Sequence, residues 1–228
     1  MEYKQEYFDS GAEYKKKSIF HKIKSKIFSD KYSREHYKYI LRDRWKYLKD
    51  SERVLDVGCG KCEFIELNPF NLKVSGIDIN IKAVEDAKEK GFEVKLGNVN
   101  KKLPCESDFF EGIISSHVLE HIEDPTNLFS EIKRILKDKG KLVLIVPNYS
   151  FNEFYSDYTH KHPYTKMSLY RIFRDNGFEN IVVKGGPCLS KVVGALFFPF
   201  PKLRFSIEML LGKISPSEYI VVGEIEKD

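Results

Sequence analysis

The sequence predicts an α/β fold on a doubly wound, mostly parallel sheet, and three observations carry that prediction. Strand-like and helix-like segments alternate from about Arg53 onward. The strand-like runs are short and nearly all apolar, as expected of strands covered on both faces. The first run ends in a glycine turn, Asp56-Val57-Gly58-Cys59-Gly60, and the second ends on an acid, Asp78.

Each element has a local reason. The first 50 residues read as a helical cap, with Trp45, Tyr47 and Leu48 facing the sheet. Arg53–Val57 and Val74–Ile77 are the first two strands. Asn80 can cap a helix through about Lys90, with Gly91 as its stop. Phe92–Leu96 is a third strand and Gly112–Ser115, preceded by Phe110, a fourth. Pro125 opens a helix whose Leu128, Phe129, Ile132, Ile135 and Leu136 share one face, and Gly140 ends it. Lys141–Val146 is the fifth strand. Residues 148–164 have no period and read as a loop, Thr165–Asn176 as a helix, and Ile181–Lys184 as a sixth strand. Residues 185–216 form an apolar, proline-interrupted insertion before a seventh strand, Tyr219–Glu226. The main domain is therefore expected over 51–228, with 148–164 as an acceptor loop and 185–216 as an apolar cap.

Composition narrows the class. Of 228 residues 42% are hydrophobic and 14% aromatic, enough for a sizeable core, which excludes wholesale disorder. The longest nearly uninterrupted apolar run, Val192–Pro201, falls well short of the ~20 residues a spanning helix needs. The start, MEYKQEYFDS, lacks the apolar core of a secretory signal. Four cysteines without regular spacing make no disulfide framework, so the cytoplasm is the expected compartment. Residues 1–50 hold 14 Lys and Arg against 8 Asp and Glu, a surplus that could meet nucleic acid or an anionic membrane. Acids interrupt that run throughout, so a solvated helical face is the simpler reading and nucleic acid is not the expected partner.

A glycine turn after the first strand lets a nucleotide approach the backbone, and an acid ending the second strand can bind ribose hydroxyls. A dinucleotide fingerprint would place its third glycine at position 63, where this chain has Glu63. A carboxylate there opposes a pyrophosphate, and no phosphate-loop Gly-Lys-Ser/Thr is present, so a nucleoside without phosphates fits better.

With Val54-Leu55-Asp56-Val57-Gly58-Cys59-Gly60, Gly76-Ile77-Asp78 and Ser116-His117-Val118-Leu119-Glu120-His121-Ile122-Glu123-Asp124-Pro125 in this order, the chain resembles the class I S-adenosylmethionine-dependent methyltransferases from about residue 50 to 184. The resemblance implies a Rossmann-like seven-stranded sheet, mostly parallel, with helices on both faces and an antiparallel last strand. It implies S-adenosyl-L-methionine as cofactor. Asp56, Gly58 and Gly60 would hold its methionine end, Asp78 the ribose, Ile79 the adenine face, Asn98 and Val99 the adenine edge, and Ser116 the methionine part. Two positions depart from the family: Cys62 stands for the usual third glycine, and Asn98 for the usual aspartate.

Two motifs are weaker than they look. Cys59-Gly60-Lys61-Cys62 spells a redox or zinc pair, but it occupies the cofactor turn, and Cys105 and Cys188 have no neighbouring ligands in sequence. His117-Val118-Leu119-Glu120-His121 spells an inverted zinc-peptidase motif, which needs a long helix that Asp124-Pro125 forbids. The strip also resembles that of quinone O-methyltransferases, which can hold a divalent metal, so metal at Glu120 and His121 stays open beside simple packing.

For the acceptor, Asp157-Tyr158-Thr159-His160-Lys161-His162-Pro163-Tyr164-Thr165 resembles a segment carried by methyltransferases of glycan and lipid-linked sugar pathways. It implies His160 as general base or substrate ligand and Asp157 as its orienter. The expected reaction is O-methylation of a small hydroxylated acceptor such as a sugar or lipid-linked intermediate. A peripheral contact at the inner face of a membrane would run through 192–201 and the basic residues after it. The alternatives are a tRNA or other RNA methyltransferase and, from another class, a non-catalytic nucleoside-binding module. Asp56, Gly58 and Asp78 all being present speaks against the last.

Overall fold

The computed structural model describes residues 30–150, 152–189, 191–197 and 199–227. Most of the basic leading segment, and Phe198 of the apolar stretch, lie outside the described residues. Helix α1 (Asp30–Trp45) precedes β1 (Arg53–Val57), α2 (Glu63–Glu66), β2 (Lys73–Asp78), α3 (Ile81–Glu89), β3 (Val94–Leu96) and β4 (Phe110–Ser116). Then come α4 (Thr126–Ile135), β5 (Leu136–Pro147), α5 (Asn152–Ser156), α6 (Lys166–Asp175), β6 (Phe178–Gly185), α7 (Lys191–Leu196), α8 (Pro201–Gly212) and β7 (Glu218–Ile225). The seven strands lie in the order β3-β2-β1-β4-β5-β7-β6. The first five run parallel, and β7 is antiparallel to both β5 and β6.

The pleat divides the core between the two faces. Ile113, Leu142 and Leu144 join Leu128, Phe129 and Ile132 of α4 and Phe173 of α6 on one side. Ile114, Val143 and Ile145, one residue out of phase, face Leu41 and Trp45 of α1 on the other. Trp45 is fully buried and stacks on Phe64 at 4.0 Å between ring centroids. Helix α1 is further tied to the sheet by Arg44, one of whose guanidinium nitrogens donates to both carboxylate oxygens of Glu218 at 2.7 and 2.8 Å.

Three segments differ from their sequence reading. Leu136 ends no helix: it is already extended and pairs with Phe110, and residues 137–140 bulge before the register resumes at Gly112 opposite Lys141. The amides of Asp108 and Phe109 donate to the carbonyls of Arg134 and Ile135 and fix that early exit. Residues 148–164 hold the short helix α5 within the expected loop. The 185–216 insertion folds into α7 and α8, and α8 lies on α1, where Glu208 bonds His36 at 2.7 Å and Arg204 at 2.9 Å.

Candidate active site

Strand order reverses direction at β1 and β4, which places a crevice beyond their carboxyl ends. A cavity of about 240 Å³ lies there. Its walls are Gly58 after β1, Ile77, Asp78 and Ile79 at the end of β2, Gly97, Asn98, Val99 and Asn100 after β3, and His117, Val118, His121 and Ile122 after β4.

The turn after β1 is built for a ligand that meets backbone. Gly58 has φ +83°, and a Cβ there would stand 2.2 Å from Cγ2 of Val118. Gly60 has φ +48°, yet a Cβ there would meet nothing within 4 Å, so its backbone borders open space. Cys62, two residues on, is also left-handed (φ 62°), which explains why glycine suits that position. Its side chain is fully buried with Cys59, Val84, Ala87 and Val94, and burial pushes both thiols up, so the pair packs as thiols rather than acting as a redox or zinc site. The helix that follows has only four residues and carries Glu63 and Glu66 in its first turn, a poor seat for pyrophosphate.

Asp78 accepts from the amides of Gly60 at 2.7 Å and Asn80 at 2.8 Å, so the acid that faces the cavity also braces the glycine turn. Ile79 is 41% exposed at the cavity wall, an apolar surface available to a flat ring. Asn98 accepts from the amide of Asn100 at 2.9 Å, which fixes its side chain and leaves the amide NH₂ and one lone pair for a base edge. The Val99 carbonyl is held by Asn127 at 2.7 Å. Asp56, two residues before Gly58, is buried, and burial, with the nearby Asp78 charge, pushes its carboxyl up to about 7. Asp56, Gly60 and Ser116 are not among the wall residues, whereas Gly58, Asp78, Ile79, Asn98 and Val99 are.

The β4 end supplies residues the sequence reading did not assign to the cavity. His117 is left-handed (φ 57°) and sits between Glu120 at 3.3 Å and Glu218 at 3.5 Å. Desolvation works against its charge, and the two carboxylates more than offset it, holding the imidazole pKa up at about 9. His121 faces the acceptor loop. Its Nδ1 lies 2.9 Å from the Thr159 hydroxyl, which itself donates to Asp157 at 2.6 Å. The expected Asp157–His160 pair is therefore replaced: the carboxylate of Asp157 takes Thr159, and Nδ1 of His160 bonds the Phe154 carbonyl at 2.7 Å. The His121 and His160 rings are 4.7 Å apart. The reason is local: Asp157 accepts the Thr159 amide at 2.9 Å in a tight turn, which points its carboxylate away from the residue three places on.

A methyltransferase-domain family model matches residues 29–183. The chain belongs to that family. A solved S-adenosylmethionine-dependent methyltransferase from Archaeoglobus fulgidus is 26% identical, superposes with a TM-score of 0.64 and is covered in full by 91% of this chain. An uncharacterized protein of Methanocaldococcus jannaschii is 28% identical over 67% of this chain and 81% of its own length. The ubiquinone biosynthesis O-methyltransferase of Xanthomonas oryzae is 31% identical over 42% of this chain and 43% of its own. The protein is an S-adenosylmethionine-dependent methyltransferase, and the open glycine backbone, the acid at the end of β2 and the apolar wall at Ile79 fit that cofactor. Bound there, it supplies a sulfonium methyl group already activated for transfer.

Proposed function

We propose that the chain transfers this methyl group to a hydroxyl oxygen of a small acceptor, a sugar or lipid-linked intermediate. The observation that carries the reading is the seat of His160. Its Nδ1–H donates to the Phe154 carbonyl, which puts the lone pair on Nε2, and its ring stands against His121 in the cavity wall. A hydroxyl is a poor nucleophile until its proton leaves, and an imidazole lone pair at this place can take it. As the oxygen–carbon bond forms, the carbon–sulfur bond breaks and its electron pair returns to sulfur, leaving S-adenosylhomocysteine. Asp157 acts at one remove, by holding Thr159 against His121. Asp56, Gly58, Gly60 and Ser116 are assigned to the methionine end, Asp78 to the ribose, and Ile79, Asn98 and Val99 to the adenine. Exposed Tyr155 and Tyr158 flank the His160 loop and offer flat apolar faces to a pyranose ring.

The lipid-linked half of the proposal is supported by α8. Its outward stripe is Leu203, Leu210 and, just beyond its end, Ile214, at 49%, 62% and 88% exposure. Lys202 and Lys213 flank the stripe, and the helix's one acid, Glu208, is buried. An apolar stripe with cations and no exposed acid suits the headgroup region of an anionic bilayer. No helix among the described residues is long and apolar enough to cross a membrane.

The test is release of S-adenosylhomocysteine across sugars, lipid-linked sugars, quinols, amines and RNA. Turnover should appear with hydroxyl acceptors, and His160→Ala should lower it roughly 10²–10⁴-fold with cofactor affinity retained. Turnover on amines or RNA alone would overturn the reading.

A further inference from the structure

We propose that Arg204 is a binding site for the phosphate group of one anionic bilayer lipid, whose hydrocarbon part lies on the exposed apolar residues of α8. The site rests on the lipid contact proposed above and names the group that anchors it.

Three observations set Arg204 apart from the surface lysines around it. Its Nε donates to Oε1 of Glu208, one helical turn on, at 2.9 Å, and Glu208 is fully buried. The other oxygen of that carboxylate meets Nε2 of His36 at 2.7 Å, so the anchor of the guanidinium is itself fixed to α1. Tyr39 and Phe205 stack at 6.0 Å between the same two helices. Secondly, only the inner nitrogen is engaged. Among the described residues Nη1 and Nη2 have no hydrogen-bond partner, and neither is buried. Thirdly, α7 makes room for the group: a Cβ at Gly194 would stand 3.3 Å from both Cζ and Nη2 of Arg204. The guanidinium is thus held at its inner edge and uncrowded on the α7 side, with two nitrogens left for a ligand. Two parallel N–H groups on a fixed plane match two phosphate oxygens, whereas a lysine offers one mobile point charge.

The surroundings choose a lipid as the source of that phosphate. Residues 185–216 carry Lys191, Lys202, Arg204 and Lys213 against one acid, Glu208, so no exposed carboxylate of the insertion competes for the fork. Leu203 precedes Arg204 and Leu211 follows two turns on, both exposed. An anion with hydrocarbon attached meets both halves of this surface, and inorganic phosphate meets only one. A zwitterionic lipid answers its phosphate with its own ammonium, which favours an anionic lipid. The chain leaves β6 at Gly185 and enters β7 at Glu218, opposite Tyr219 and Pro147, so the insertion starts and ends at the carboxyl edge of β5. The cavity opens on that edge, and a protein docked through Arg204 would hold it near the membrane surface.

The experiment titrates the full chain with phosphatidylcholine vesicles that contain or lack phosphatidylglycerol, with inorganic phosphate as competitor at matched ionic strength. Arg204→Lys keeps the charge and can still reach Glu208, so general electrostatics predicts no change; loss of the fork should weaken binding to the anionic vesicles by about tenfold or more. Lys202→Gln removes a charge and should cost only about fivefold. Gly194→Val keeps every charge and fills the space against the guanidinium, so it should weaken binding too. Melting temperature, measured alongside, identifies a variant that fails to fold; should Arg204→Lys be one, Gly194→Val decides by the same rule. Undiminished binding by the folded variant overturns the site, while a loss in Leu210→Glu would leave the lipid contact of α8 standing without it. Displacement of the protein from vesicles by inorganic phosphate overturns the lipid as the source of the phosphate. A parent chain that binds neither kind of vesicle removes the lipid contact itself, and the site with it.

Discussion

Replacing Asp56 with Asn should stabilise the ligand-free protein while loosening its hold on the cofactor. The carboxyl is pushed from 3.8 to about 7, first by burial and then by the charge of Asp78. The fold therefore prefers the protonated form. Between pH 3.8 and 7 the folded chain binds more protons here than the unfolded chain, so the contribution of this group to stability falls as pH rises through that window. At 1.36 kcal/mol per unit, the burden is about 4 kcal/mol at pH 8 and about 2 kcal/mol at pH 5.5. Asn has the shape of the protonated acid and carries neither burden. Urea unfolding at the two pH values should show the variant more stable than the parent, by up to about 4 kcal/mol at pH 8 and about half that at pH 5.5. With Asp56 at the methionine end, as proposed, cofactor affinity should move oppositely, because the ammonium there favours a carboxylate. Calorimetry on the parent in buffers of different ionisation heat should show a proton released on binding below pH 7. A variant no more stable than the parent at pH 8, or a difference independent of pH, would refute the reasoning.

Three further outcomes follow from the geometry. Gly58→Ala meets both a left-handed φ and Val118, so it should lower the melting temperature and cofactor affinity together; Gly60→Ala, at φ +48° with open space, should cost stability only about 1–2 kcal/mol while still weakening the cofactor, as melting and calorimetry would show. Glu218→Gln leaves Arg44 buried without its anion and should cost about 3–5 kcal/mol in denaturant. In the parent, burial opposes the Glu218 charge, but Arg44 and His117 hold its pKa down at about 2, so this stability is present above 4.5 and lost as pH falls toward 2. The proposed lipid contact of α8 is tested by flotation: on that proposal the protein should rise with anionic vesicles and not with neutral ones, and Leu210→Glu should leave it at the bottom.

What was legible in the sequence was what short-range chemistry decides. The turn Asp56–Gly60, Asp78 at a strand end and Asn80 as a cap all depend on neighbours within a few residues, and Asn80 does accept the Ala83 amide at 3.2 Å. The parallel strands announced themselves because burial on both faces removes polar residues. The rest turned on distant partners. Glu208 meets His36 across 172 positions, and nothing local to either marks the other. Leu136 looked helical because it keeps the period of α4, but pairing with Phe110 claims it for the sheet. His121 and His160 were each visible, but their nearness depends on where the turn after β4 and the loop after β5 end. Asp157 lay at a plausible spacing from His160, and only the turn at Thr159 redirects it.

The contacts Arg44–Glu218, Glu218–His117 and His117–Glu120 alternate in sign from helix α1 to His117 in the cavity wall and the buried acid behind it. Removing the first cation would leave Glu218 to draw the imidazolium toward itself and away from Glu120. The seating of α1 and the electrostatic state of the pocket are therefore one equilibrium. A chain begun at residue 51 would lose more than a cap: it would bare the sheet face under Trp45 and leave the two acids around His117 short of one positive charge.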